Sequence, residues 1–370
     1  MNGCVTNILS DVASVLLRRP SIPVIDFAHR IEMFHHCWTP GRDNPVSVIV
    51  VNWNRARLLQ ECLCALSRQS YSNFEIILVD NGSSDDSVSL VKENFPAVKV
   101  VELAENRGFT GGNSAGLEVA NGDFIALVNN DARTDRDWLK KLLQPMLADP
   151  SVGICASKLI IDGTEVIDSA GNGLTTGGVG FNRGLGTDMQ HFSVSELVFG
   201  ACGAAALYRR SMLAKIGFFD EEFFLYDEDI DLSFRAQLAG WKCKYVSDAV
   251  AHHKGNESSE RLSDLHVYYH TRNLELVWMK NMPGGLILRF LHHKLIQEVA
   301  AFGYLCLRHG RWKPFFRAKR DVIRMLPNLS KKRREVQRRR RVSNKYLKRI
   351  FTPILDKEYL VRKVCQFIHG

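Results

Sequence analysis

Three short apolar runs, each closed by asparagine or aspartate, set the tightest limit on how this chain folds: VSVIVVN at 46–52, FEIILVD at 74–80 and DFIALVNND at 123–131. A run that is apolar at nearly every position has no polar face to turn to water. Each therefore predicts a strand covered on both sides, as in a parallel sheet. Between them lie stretches of helical period at 56–68, 85–95 and 106–121, with VKVVEL at 98–103 as a further strand. Strand and helix alternate, which predicts an α/β fold with a doubly wound, mostly parallel sheet of right-handed βαβ units. Ligands of such sheets bind beyond the carboxyl ends of the strands. From 152 the pattern changes to short strands and Gly-rich turns, with helices near 210–217 and 229–239.

Charge divides the chain unevenly. The net charge is +9, yet the residues from Leu286 onward hold 23 Lys/Arg against 5 Asp/Glu, so an acidic body carries a basic tail. Within that tail, apolar residues at 288, 291, 295, 299, 302 and 305 form a helical stripe, followed by KKRREVQRRRR at 331–341. Basic clusters beside such a stripe suit adsorption to an anionic bilayer, although a charge run is as often a solvated face. Nine cysteines at no repeating interval predict neither a disulfide framework nor a zinc site. The first residues lack the pattern of a secretory signal, and no stretch approaches the ~20 apolar residues of a membrane span. The expectation is a reducing cytoplasm, with peripheral contact on the inner face of the cell membrane.

The strand ends carry the chemistry. VNWN at 51–54, VDNGSSDDS at 79–87 and VNND at 128–131 line Asn and Asp side chains along one rim. One such cluster is as readily a turn or a helix cap. Three on successive strands point to a binding rim at the switch point of the sheet. With ENRGFTGGNSAG at 105–116, ALVNNDA at 126–132 and FDEEFFLYDEDIDLSFRAQLAGW at 219–241, in this order over about 46–282, the sequence resembles the family 2 glycosyltransferases. These are inverting enzymes of the GT-A type, Rossmann-like fold. The NND form, GACGAAALYRRSML at 200–213 and RNLELVWMKNMP at 272–283 look most like rhamnosyltransferase-type members from bacteria. The resemblance implies an extension at 1–45, a catalytic domain at 46–285 with a nucleotide-binding half at 46–131 and an acceptor half at 132–285, and a helical tail at 286–370.

The same resemblance assigns roles. Asp80 accepts from the imide N–H of uracil or thymine, so the donor is a dTDP- or UDP-sugar, with Asn52 and Asn54 beside base and ribose. Gly108 and Gly112, together with Gly111, let backbone approach the donor, while Asn106, Asn113 and Asn130 supply amides and Arg272 reaches the phosphates. Asp131 ends the counterpart of a metal-binding DxD whose first acid is here Asn129, and His253, rather than His252, is the second ligand for Mg²⁺ or Mn²⁺. One or two protein ligands plus diphosphate oxygens suffice for such an ion. Asp229 is the general base, Glu228 its neighbour, and Asp231 a helix-start residue; four acids at 227–231 exceed what helix capping needs. One displacement on the anomeric carbon inverts it, and no second acid is required because the leaving group is a diphosphate. The small residues of GACGAAAL at 200–207 serve either tight packing or entry of the acceptor, a glycan or polyprenyl-linked sugar of cell-envelope polysaccharide synthesis. The chain has no processive-type QxxRW motif, which predicts transfer of one or a few sugars. Two alternatives are a sugar nucleotidyltransferase, which carries a Gly-rich basic loop where this chain has NWNRARLL, and a nucleic-acid-binding tail, for which interleaved aromatics are lacking.

Overall fold

The computed structural model describes residues 44–255 and 262–356, together with Tyr359; the extension expected at 1–45 lies, but for its last two residues, outside them. The alternating half runs β1 (Val46–Asn52), α1 (Ala56–Leu66), β2 (Phe74–Asp80), α2 (Ser87–Asn94), β3 (Lys99–Glu102), α3 (Gly108–Val119) and β4 (Phe124–Val128). Then follow β5 (Ala132–Thr134), α4 (Trp138–Ala148), β6 (Val152–Ile161), β7 (Ile167–Ser169), β8 (Asn172–Leu174), β9 (Gly180–Asn182), β10 (Leu197–Val198), β11 (Ala205–Arg209), α5 (Arg210–Ile216), α6 (Glu228–Leu238) and β12 (Lys242–His253). Four helices complete the described chain: α7 (Asp264–Asn281), α8 (Gly284–Phe302), α9 (Trp312–Arg338) and α10 (Asn344–Ile350), with a π-helical turn at Gly303–Arg308 between α8 and α9.

The main sheet has the order β10-β12-β6-β11-β4-β1-β2-β3, with β5 on β12 and β7 on β6. The parallel, doubly wound part comprises β3, β2, β1 and β4. Beyond it β11 pairs antiparallel with both β4 and β6, so the sheet as a whole is mixed. The reason is local: β11 enters from a loop, without the crossover helix that a parallel neighbour demands. Because β1 lies between β2 and β4, their ends form a switch point where Asn52, Asp80 and the Asn129–Asp131 segment come together.

Two apolar cores flank this arrangement. Ile49, Ile77, Val79, Leu127, Ala206 and Tyr208 fill one. The other joins Phe223, Ile230 and Phe234, around the acidic segment, to Leu276 and Trp278 of α7 and to Val322, Leu329, Val336, Leu347 and Phe351. Each buried side chain of this size is worth roughly 1.5–3 kcal/mol, so 312–356 is part of the folded body. The basic run at 331–341, expected within a basic helical tail, covers the end of α9 and the residues after it and is partly tied down. Lys332 pairs with Asp220 (2.6 Å) and Glu222 (2.8 Å), and Arg333 and Gln337 donate to the carbonyls of Met279 and Asn281.

Candidate functional site

The strand-end residues converge. Asp80 is buried; its Oδ2 accepts from the Ser83 N–H (2.9 Å), while Oδ1 has no hydrogen-bond partner. An unsatisfied buried carboxylate oxygen costs free energy unless something donates to it. Asn52, wholly buried beside it, accepts from the Asn130 amide (2.7 Å). Asn54, in left-handed backbone, spends its side-chain oxygen on the Ser84 N–H (2.7 Å), which shapes the loop after β2.

Asp131 is 4 % exposed, and neither carboxylate oxygen has a well-formed hydrogen bond. His253 closes β12 with Nε2 3.2 Å from Asp131 Oδ1, and its Nδ1 meets Asp168 Oδ2 at 2.8 Å. His252, one residue earlier on the strand, faces the other way toward Asp135 (3.5 Å). Burial disfavours charge on His253, but Asp131 and Asp168 outweigh it and push its pKa up to about 10. Asp131 is likewise raised by burial and pulled lower by His253, with a net shift downward. This carboxylate–histidine–carboxylate line fits a divalent cation: the orphaned oxygens of Asp131 and Nε2 of His253 offer ligands, and Asp168 fixes the ring. Among the described residues no three or more His, Cys, Asp or Glu side chains form a full cage. Phosphate oxygens would have to complete the shell.

Asp229 lies in the first turn of α6. Its Oδ2 accepts from Gly203 N–H (3.0 Å) and the Asn172 amide (3.1 Å), and its Oδ1 from Ile230 N–H (2.7 Å). The Gly200–Ala204 loop joins the two groups, since Ala204 accepts from Asn129 N–H (2.8 Å) one residue after Gly203 holds Asp229. Burial raises the Asp229 carboxyl to about 6 against these donors. Glu228 is pushed well above the ordinary range, first by burial and then by Asp229, and its Oε2 lacks a partner. A cavity of about 280 Å³ opens against Asp229, with Asn172, Phe181, Tyr226, Asp227 and His270 among its walls.

Comparison with known proteins decides the family. Residues 47–217 match the sequence family described as glycosyl transferase family 2. They form a family 2 glycosyltransferase domain. Among curated relatives, the hyaluronan synthase of Pasteurella multocida is 26% identical over 249 residues, 59% of this chain but 25% of that protein. The N-acetylglucosaminyl-diphospho-decaprenol L-rhamnosyltransferase of Mycobacterium tuberculosis is 26% identical over 237 residues, 57% of this chain and 76% of its own length. Among solved structures, GalNAc-T7 with UDP, GalNAc and Mn²⁺ superposes with a TM-score of 0.53 at 15% identity, over 63% of this chain and 48% of that one. Staphylococcus aureus TarS gives 0.52 at 18% identity, over 80% and 55%. These likenesses show the GT-A type of α/β fold.

The other residues expected at the donor bond within the protein. Arg272 contacts neighbouring rings and carbonyl groups. It is buried between Tyr268 and Tyr269 and donates to the carbonyls of Glu222 and Phe223. With Asn273, which donates to Phe223, Leu225 and Tyr226, it clamps a loop whose Phe224, Tyr226 and Asp227 all have positive φ. Left-handed backbone at such residues needs this kind of support. A Cβ on Gly112 would lie 2.7 Å from Val51 Cγ1, and one on Gly108 2.4 Å from the Phe224 carbonyl, so both glycines serve packing within the protein. Asn106 accepts from Gly108 N–H (2.8 Å) and from the buried Asn81 amide (3.0 Å), and Asn113 donates back to Phe109 within α3 (2.8 Å). Asp231 is held by Arg235 (2.8 Å), Lys280 (2.9 Å) and Asn281 (2.7 Å), as befits a structural acid. Sequence reasoning missed Asp168, Asn172, Asn81 and Asn273; only the GNGL and DNG patterns around the middle two hinted at tight turns.

Proposed function

We propose that this protein transfers single sugars from a dTDP- or UDP-sugar, with inversion, to a hydroxyl of a glycan or polyprenyl-linked acceptor, and that L-rhamnose is the sugar. The carrying observation is Asp131, a buried carboxylate with no well-formed hydrogen bond at either oxygen, facing His253 at a strand-end switch point. Asp80 Oδ1 supplies an acceptor for the imide N–H of the base. Asp131 and His253 would hold Mg²⁺ or Mn²⁺, which when bound neutralises charge on the departing diphosphate. Asp229, with a pKa near the working range of a base, takes the proton of the acceptor hydroxyl as that oxygen bonds to the anomeric carbon and the bond to diphosphate breaks. Burial and the neighbouring Asp229 push the Glu228 carboxyl beside it well above the ordinary range. The rhamnosyl and lipid-linked parts of the reading are supported by the name of the mycobacterial relative, and the metal by Mn²⁺ in the GalNAc-T7 complex. Cell-envelope polysaccharide synthesis on the inner face of the membrane, with peripheral attachment, completes the proposal.

The test is a panel of dTDP- and UDP-sugars with Mg²⁺ or Mn²⁺, read as nucleoside diphosphate release and as protection from thermal unfolding. Release from one donor, lost in Asp131→Ala, is expected. Retention of an intact sugar nucleotide in the product would replace this reading with nucleotidyl transfer.

A further inference from the structure

Helix α8 is apolar on both sides. Its first turns seat Leu286 and Phe290 in the core, and the rest of the side that meets the protein is polar: Lys294, 6 % exposed, pairs with Glu298 (2.7 Å) and Glu275 (3.2 Å), and His293 and Gln297 bond Thr176 (2.8 Å) and Thr175 (3.1 Å). The outward side carries Leu288, Leu291, Leu295, Ile296 and Val299, with Leu288 79% and Val299 72% exposed. A helix on a water-facing surface carries polar residues on its outward side. The apolar surface continues through Leu307 to Trp312 and Phe316, whose rings stack on one another (6.2 Å) and against Phe302. Exposed apolar area on this scale marks an interaction surface.

Charge identifies what covers it. Between Gly284 and Leu326 there are nine Lys/Arg and only two acids, Glu298 and Asp321, both engaged in ion pairs. Arg289, Arg308, Lys313, Arg317, Arg320 and Arg324 are exposed beside the leucines. No helix among the described residues is long and apolar enough to cross a membrane. Leucines and a tryptophan set in a one-signed basic rim match the interfacial layer of an anionic bilayer, with the helix lying in its plane. A protein partner would need an acidic rim around an apolar centre.

We propose that the outward face of α8, with the turn and helix start that follow it through Phe316, is the membrane-contact surface, inserting into an anionic phospholipid leaflet. This rests on the peripheral attachment proposed above and narrows it from the whole basic tail to the apolar stripe and its immediate basic neighbours. The same helix braces the active site: Thr175 and Thr176, which its inner side holds, follow β8, whose Asn172 grips Asp229. A leaflet on the outer side thus lies one helix away from the acceptor cavity, where a lipid-linked sugar would be presented.

The test is flotation of the full chain with vesicles of phosphatidylcholine alone or mixed with phosphatidylglycerol. Binding to the anionic vesicles is expected, falling more than roughly tenfold in Leu288→Gln/Leu295→Gln/Val299→Gln while the unfolding temperature is kept, since these side chains are already solvated. Arg338→Gln/Arg339→Gln should float like the parent. Three outcomes overturn the proposal: no flotation of the parent, undiminished flotation of the triple variant, or a parent dimer that the triple variant turns into a monomer. Nucleoside diphosphate release in solution, measured on the same variants, is unchanged under the proposal. Its absence from the parent would remove the proposed transferase activity without touching the vesicle result.

Discussion

In the proposed reaction, Asp229 ties one carboxyl group to both proton transfer and pH. Its pKa of about 6 is raised by burial, so the carboxylate that accepts the acceptor's proton is populated above that value and lost below it. Turnover should rise tenfold per unit as pH climbs toward 6 and level off above, in a kcat profile taken with saturating donor. Asp229→Asn should cost roughly 10³ in kcat yet leave donor protection against unfolding intact. Glu228→Gln, which imitates the protonated acid, should stay within a few-fold of the parent; a collapse equal to that of Asp229→Asn would give Glu228 the larger part. Asp168 touches the imidazole only, so Asp168→Asn should weaken Mn²⁺ binding about 10–100-fold, read by titration calorimetry with UDP present, with full turnover recovered at high metal.

Among the elements, α3 shows both the reach and the limit of pattern reading. Its glycines stand out in the sequence, and a close backbone approach is what they permit. The partner in that approach is Val51 and the Phe224 carbonyl, which lie far away along the chain and leave no mark beside the glycines. Gly108→Ala, at φ 71° and with no room for a Cβ, should lower stability by about 1–3 kcal/mol in denaturant titrations. Strands β1, β2 and β4 were legible because an all-apolar run ended by Asp or Asn has few other readings, and the place of Asp80 and Asp131 at or just beyond their ends came with them. Strands β7 and β8 span three residues each, too short for any period, so Asp168 and Asn172 were hidden. Arg272 shows a different limit: a guanidinium suits a phosphate and a carbonyl pair equally, and only the fold selects. For α8 the stripe was readable, but periodicity gives a face without saying which way it turns.

At the scale of the whole molecule, the acidic loop that presents the base is closed from behind by the C-terminal helices. Phe223, Ile230 and Phe234 share a core with Val322, Leu329 and Val336, and Asp220 lies between Lys280 (2.8 Å) and Lys332 (2.6 Å). Truncation after residue 310 should therefore yield an insoluble or unfolded chain, seen as lost near-ultraviolet circular dichroism. The interlock also bears on synthesis. Lys332 follows Asp220 by 112 residues, so a growing chain still on the ribosome carries its base loop for much of its elongation without the ammonium that will hold it. The first sheet strands can pair early, whereas the loop must wait for contacts of long sequence separation, the slow class in folding. The final tethering of this loop thus comes only after synthesis has passed Lys332.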